Sequence, residues 1–253
     1  MNTYIMDTYI NNYNLFHNII IYDFQLGIGG IGDYIKFFMF CLDSCIKNNK
    51  RLYLKMNNIE IEKYIKLKYD KMYINDYDIN KLVNFEIVTP GMYYNSFNYN
   101  YSVNVKEVFY FTDEVKINSK YLIPSEITNY TSIHLRLGDK YLETDKCFVL
   151  CKDDTRVFSE EKIYKFIEEN FNKNIFFCCD NNNYKLKIKN KYNNIIISNC
   201  DIGHTSLFNT TKKQILDAIT EFYILTNSEI IFSASESGFS KVASQFNNIK
   251  LIK

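Results

Sequence analysis

The chain predicts an α/β fold made of two Rossmann-like domains, and three observations carry that expectation. The C-terminal half alternates apolar runs of strand length with amphipathic helical stretches across short links, the mark of a parallel, doubly wound sheet. The N-terminal half opens the same way, with a strand, a glycine loop and a helix. At 253 residues and 47% apolar side chains, the chain can bury one or two full cores and is too hydrophobic to stay disordered. Division into 1–124 and 125–253 follows, with Pro124 marking the joint. Ligands in such folds bind outside the carboxyl ends of the strands, here the cleft between the domains.

The elements follow in order. Residues 18–24 form an apolar strand, 27–32 a glycine loop, 33–48 a helix and 51–55 a second strand. The helix carries Ile35, Phe38, Met39, Leu42 and Ile46 at the spacing of one buried face. Residues 69–101 are rich in Tyr and Asn and show no usable period. Strands are expected at 130–135, 174–179, 194–198, 229–233 and 249–252, with helices at 160–172, 182–192, 212–227 and 238–246 between them. Ser159 is placed to cap the first of these helices, with Glu160 and Glu161 at its positive end. Lys185, Lys187, Lys189 and Lys191 read as a solvated face. The 212–227 helix, with Ile215, Ile219, Phe222 and Tyr223 on one side, is apolar enough to lie between sheet and neighbour.

Composition narrows the function. The 30 basic and 29 acidic side chains leave a net charge of +1, without the basic excess that nucleic-acid binding requires. Seven cysteines, none in C-x-x-C spacing, and only 3 histidines point to buried free thiols in a reducing compartment and to no metal site. No signal sequence or membrane-spanning run is recognisable, so a cytoplasmic protein is expected. The bias toward Asn, Ile, Lys and Tyr is what AT-rich codons supply.

The most informative segment is Ser132-Ile133-His134-Leu135-Arg136-Leu137-Gly138-Asp139-Lys140, where an apolar strand ends in a cation, a glycine and an acid. A fixed guanidinium beside a glycine suits a diphosphate, because the planar fork bonds two oxygens and opposes charge on a departing group. A strand-end turn in which Arg136 pairs with Asp139 explains the same residues. A second motif, Gly27-Ile28-Gly29-Gly30-Ile31-Gly32, matches G-x-G-x-x-G. Residues 23–26 intervene before its first glycine, however, and the second strand ends Tyr53-Leu54-Lys55-Met56-Asn57 without an acid for a ribose. Lys55 alone keeps an NADP reading open; the loop otherwise offers close backbone approach and a helix N-terminus.

Three segments together resemble the superfamily of α1,2-, α1,6- and protein O-fucosyltransferases. Gly29-Gly30-Ile31-Gly32-Asp33 is similar to its G-G-x-G-N opening, and His134-Leu135-Arg136-Leu137-Gly138-Asp139-Lys140 to its H-x-R-R-G/T-D-K. Asp217, the run from Leu225 to Ser233 and then Glu236-Ser237-Gly238-Phe239-Ser240 are similar to D-x-x-x-L-x-x-(small)-(acid) followed by (S/T)-x-F-S. Phe176 to Asp180 takes the place of an apolar strand ending in Asp.

That resemblance implies a GT-B-like fold and an inverting, metal-independent transfer of a sugar, most often L-fucose from GDP-fucose, onto a glycan. It implies that Arg136 holds the diphosphate and that His134 and Asp217 sit at the base. It also implies that Ser237, Phe239 and Ser240 bind the donor at a helix start, with Gly29, Gly30, Gly32 and Asp139 around it. Departures accompany it: Leu137 replaces a second arginine and Asp33 the loop asparagine. Thr144 stands where the α1,6 branch has a glutamate, with Glu143 one residue early. The catalytic base is thus open between Asp33, Glu143 and no side chain. Another donor such as a xylose or rhamnose nucleotide, or a binding module without turnover, fits the same residues. Asp76-Tyr77-Asp78 reads as helix capping rather than a metal-binding D-x-D.

Overall fold

The structure is a computed structural model and describes residues 2–56, 59–93, 97–124, 126–141 and 154–253. Its first half runs α1 (Asn2–Asn12), β1 (Ile19–Phe24), α2 (Ile31–Lys47), β2 (Arg51–Met56), β3 (Ile65–Leu67), α3 (Asp76–Ile79), β4 (Phe85–Val88), α4 (Val105–Val108), β5 (Phe109–Phe111) and α5 (Asp113–Leu122). β1 is the middle of a parallel three-stranded sheet of order β2-β1-β4. All six of its residues are buried, as a strand covered on both faces requires. β3 and β5 form a separate antiparallel pair.

The second half runs β6 (Thr131–Leu135), α6 (Glu160–Glu169), β7 (Ile175–Cys179), α7 (Asn182–Lys191), β8 (Ile195–Ile196), α8 (Lys212–Leu225), β9 (Ile230–Ser233), α9 (Gly238–Phe246) and β10 (Lys250–Ile252). Its sheet is five-stranded, parallel throughout, in the order β10-β9-β6-β7-β8. Every expected strand and helix of this half is present, with β8 shortened to two residues. The expected capping is also present: Ser159 Oγ accepts from Lys162 N–H.

Two features lie outside the periodic reading. α1 carries Met6 and Tyr9, which with Tyr13 just beyond it are buried. The Tyr9 hydroxyl accepts from Leu52 N–H at 2.9 Å and donates to the Lys50 carbonyl at 3.0 Å, while Tyr13 donates to the Leu52 carbonyl at 2.5 Å. Between 69 and 101 the chain forms short turns, α3 and β4, held in part by tyrosine hydroxyls. Tyr73 accepts from Leu67 N–H at 2.7 Å and Tyr101 donates to the Lys36 carbonyl at 3.2 Å. Such bonds have no sequence period.

The two sheets lie on either side of the 124/125 boundary, yet the halves share an apolar core. Phe111 of β5 meets Phe246 of α9 at 4.9 Å and Phe222 of α8 at 6.1 Å between ring centroids. α2 runs against α9, and a Cβ on Gly32 would come within 3.0 Å of the Gly238 carbonyl carbon. Gly32 thus gives two helix starts room to touch, and it lines the cleft as well. No helix among the described residues is long and apolar enough to cross a membrane.

The lysine run of α7 departs from expectation. Lys187, Lys189 and Lys191 are exposed, but Lys185 is fully buried. It shares the inward side of the helix with Ile188, since a helix turns about 100° per residue and sequence alternation does not define one of its faces. Its ammonium lies 2.7 Å from Glu221 Oε1 and 2.9 Å from Ser198 Oγ. Burial works against the charge, but the Glu221 carboxylate prevails and holds the lysine pKa above its ordinary value. Lys185→Met should therefore cost about 3–5 kcal/mol, because it leaves a buried carboxylate unpaired. Lys187→Met, which breaks an exposed pair with Glu160, should cost under about 1 kcal/mol. Urea unfolding of the two variants checks the contrast.

Candidate functional site

The five-stranded sheet reverses direction of growth between β6 and β9, and a cleft of ≈ 700 Å³ opens beyond their carboxyl ends. His134, one residue before the end of β6, lies opposite Ser233 of β9 and Cys178 of β7. The glycine loop that follows β1 forms the facing wall.

Arg136 stands at the end of β6 with its backbone clamped by Ser235, whose hydroxyl accepts from Arg136 N–H at 2.9 Å and donates to its carbonyl at 2.8 Å. Its Nη1 donates to Asp180 Oδ2 at 2.6 Å and its Nη2 to Asp139 Oδ1. Asp180 also accepts from Leu137 N–H at 2.8 Å and Gly138 N–H at 3.2 Å. The Arg136–Asp139 pair that the sequence offered as an alternative is thus present, and both residues line the cleft. Gly138 is required sterically: its φ is +113° and a Cβ there would lie 2.3 Å from the Asp154 carbonyl oxygen. Leu137 turns its side chain into the core of the five-stranded sheet.

His134 is buried, lines the cleft and stacks on Phe239 at 5.0 Å with 19° between the rings. Phe239 is braced edge-on by Phe222 at 4.9 Å. Burial, and then the Arg136 guanidinium, push the His134 pKa down to about 3, so its imidazole is neutral. Its Nδ1 is buried without a hydrogen-bond partner among the described residues. Ser237 caps α9, accepting from Phe239 N–H at 3.2 Å, and lines the cleft with Gly238 and Phe239. Ser240 does not: it is fully buried, its hydroxyl sharing a 2.7 Å bond with Ser233 Oγ and donating toward the Ser237 carbonyl.

The glycine loop lines the cleft, but several of its donors are engaged within the protein. Gly27 N–H and Gly29 N–H donate to Ser206 Oγ at 3.0 and 3.1 Å, and Ile31 N–H donates to Thr205 Oγ1 at 3.1 Å. Gly30 N–H donates to Asp33 Oδ2 at 3.1 Å, while Asp33 Oδ1 pairs with Lys36 at 2.6 Å. Gly29 and Gly30 thus offer no N–H to a phosphate, and Asp33 closes the first turn of α2 as well as facing the cleft. His204, which the sequence did not single out, also lines the cleft, with Nδ1 accepting from Ser206 N–H at 3.2 Å. Burial and Arg136 lower its pKa.

Asp217 is placed differently from its expected role. It is buried on α8, ion-paired with Lys213 at 2.6 Å, and is not part of the cleft wall. Glu221, one turn further on, is. The D-x-x-x-L spacing counted back from Leu225 arrives at Glu221 rather than Asp217, so the sequence carries a signal for the acid that lines the cleft. Glu221 Oε1 holds Lys185, and Oε2 has the Cys178 thiol at 3.4 Å. Cys178, Cys179 and Cys200 line this end of the cleft, with thiol pKa values pushed up by burial. They are buried free thiols, like Cys41 and Cys45. Glu143, Thr144, Cys147 and Cys151 lie outside the described residues.

Charge in the cleft is organised in pairs: Lys36 with Asp33, Arg136 with Asp139 and Asp180, Arg156 with Asp154, and Lys241 with Glu236. No cluster of residues suited to a metal ion occurs among the described residues. Lys55 is taken up by Asp23 and Asp76, 3.6 and 2.8 Å away, which removes it as a partner for a 2′-phosphate. Asp76 sits at the start of α3, whose N-cap is Asn75.

No known family model and no curated protein matches the chain in sequence. Its fold does match solved structures. NodZ alpha-1,6-fucosyltransferase co-crystallized with GDP superposes with a TM-score of 0.57 at 10% identity, over 90% of this chain and 91% of that one. NodZ has also been solved as the Bradyrhizobium enzyme, with a TM-score of 0.56 at 10% identity over 90% and 92% of the two chains. A variant of Arabidopsis thaliana FUT1 in complex with GDP gives 0.58 at 10% identity over 98% and 74%. POFUT1 in complex with GDP gives 0.50 at 10% identity over 93% and 98%. The chain therefore has the mixed α/β, GT-B-like fold of these fucosyltransferases.

The state of His134 is open to direct test. Its ring signals in NMR should not titrate between about pH 5 and 8. The folded value lies below the unfolded one, so the neutral ring's contribution to stability is whole above about pH 6.5 and is lost as pH falls toward 3. That loss runs at up to about 1.4 kcal/mol per pH unit. Denaturant midpoints at neutral and acid pH should fall less steeply in His134→Phe.

Proposed function

We propose that the chain is a glycosyltransferase that takes its sugar from a nucleoside diphosphate, with GDP-fucose the favoured donor and a glycan the acceptor. One observation carries this reading. His134, Arg136 and the Ser237–Phe239 start of α9, distant in sequence, converge on the cleft at the switch point of a sheet whose fold matches GDP-bound fucosyltransferases.

In this reading the base enters the end walled by Cys178, Ala218 and Glu221. Guanine presents two adjacent donors, N1–H and the exocyclic amine, to Glu221 Oε2, which Lys185 leaves unused and which otherwise accepts only the weak Cys178 thiol donor. The neutral His134, stacked on Phe239, supplies a ring hydrogen bond without charge. The diphosphate lies toward Arg136 and α9, whose N-terminal N–H groups favour an anion. An acceptor hydroxyl attacks the anomeric carbon from the opposite face, the bond to the diphosphate breaks with its electron pair leaving on the diphosphate, and the hydroxyl proton passes to water and so to bulk solvent. Arg136, held rigid by Asp139 and Asp180, opposes that growing charge without needing to reorganise. Asp33 would have to release Lys36 or Gly30 N–H to take the acceptor proton, so its place is in holding the loop.

A second reading, a sugar-nucleotide-binding module without turnover, has one observation in its favour: both terminal nitrogens of Arg136 already face carboxylates. Release of GDP from GDP-fucose in the presence of glycan acceptors separates the two.

Calorimetry on the native chain should find GDP bound at least about tenfold more tightly than UDP, since uracil offers the carboxylate one donor where guanine offers two. Asp217→Ala should leave GDP affinity within about twofold, whereas Glu221→Gln, with circular dichroism confirming its fold, should lower it by about 10- to 100-fold. Tighter UDP than GDP binding would overturn the guanine assignment. Transfer should continue in excess EDTA, because cationic side chains and the α9 N-terminus take the place of a metal ion. Activity that vanishes in EDTA and returns with Mg²⁺ or Mn²⁺ would contradict this.

A further inference from the structure

A diphosphate in this cleft meets Arg136 with both terminal nitrogens bonded to carboxylates. The next residue, Leu137, is apolar and buried. The turn after β6 therefore presents no fork open to two oxygens at once.

Arg156 brings a second guanidinium to the same cleft. Its N–H donates to the Leu137 carbonyl at 2.9 Å, and the Asp154 carbonyl accepts from Lys140 N–H at 3.3 Å. The Asp154 carboxylate accepts from Asp139 N–H at 3.2 Å, and Phe158 bridges in antiparallel fashion to Ser235. Residues 154–158 are thus stitched between the Arg136 turn and the approach to α9, which brings Arg156 to the cleft wall. Its guanidinium pairs with Asp154 through Nε at 3.1 Å, while Nη1 and Nη2 have no partner among the described residues. Lys241 chiefly, then Lys253 and last Arg156, hold the Glu236 carboxyl below its usual range, and Arg156 and Glu236 both line the cleft near the start of α9.

We propose that Arg156 grips the diphosphate of the sugar nucleotide with the two terminal nitrogens of its guanidinium. This rests on the reading of the cleft as a sugar-nucleotide site. The bond is bidentate and charge-assisted, a geometry an ammonium cannot reproduce. The side chain is 42% exposed, so the fold does not depend on it.

The test is calorimetry with GDP and with guanosine on the native chain, Arg156→Met and Arg156→Lys, with thermal unfolding of each free protein. Arg156→Met should weaken GDP by about 10- to 100-fold and leave guanosine within about twofold, at an unchanged melting temperature. Arg156→Lys should recover only part of the loss. Unchanged GDP affinity in Arg156→Met, or equal losses for GDP and guanosine, would overturn the Arg156 assignment and leave the site reading standing. A native chain that binds GDP no more tightly than guanosine would overturn the site reading itself.

Discussion

The carboxylate of Asp180 is the interaction on which the site depends. It follows the last residue of β7 and reaches across to the end of β6, where it accepts from two backbone N–H groups and the Arg136 guanidinium. Each of these donors would otherwise lie partly buried beside an apolar strand, at a desolvation cost of about 1–3 kcal/mol apiece. One side chain thus fixes a turn and aims a cation. The rest follows from that turn: Gly138 presses against Asp154, Ser235 locks the Arg136 backbone from β9, and residues 154–158 gain a rigid edge to attach to.

The opposite wall is held by a different economy of hydrogen bonds. A glycine loop before a helix is commonly a place for phosphate, yet here Thr205 and Ser206 hydroxyls lie where such oxygens would. The loop is thereby ordered before any ligand arrives and is tied to the second half of the chain. Together with the aromatic contacts of Phe111, Phe222 and Phe246, this makes the two halves one packed unit. In the proposed reading an anion is then left to the turn after β6 and the start of α9, which line the cleft.

The C-terminal half was legible because its signals are local. Buried strands such as Ile175–Cys179 read as unbroken apolar runs, and α9 has the residue bounds expected of it. Arg136 and His134 were legible for the same reason, standing where an apolar run ends. What the sequence hid was rotational or distant. Asp217 and Glu221 differ by one helical turn, and only packing decides which meets the cleft. Lys185 shares the sequence pattern of its exposed neighbours, and the partner that buries it, Glu221, lies 36 residues away. The partners of Gly27 and Gly29 lie 179 and 177 residues further along, beyond any local pattern.

The tyrosines at the start of the chain bear on how the protein behaves in a crowded solution. β2 is the outer strand of its sheet, and an outer strand exposes amide groups to which a stray chain can add. At Leu52 both of those groups are occupied by the hydroxyls of Tyr9 and Tyr13, and further along Tyr73 bridges to Leu54. α1 thus acts as a guard rail as much as a piece of core. Sheet growth through β2 is blocked at Leu52 by phenol groups, which combine apolar bulk with a hydrogen-bonding tip, and at Leu54 by backbone.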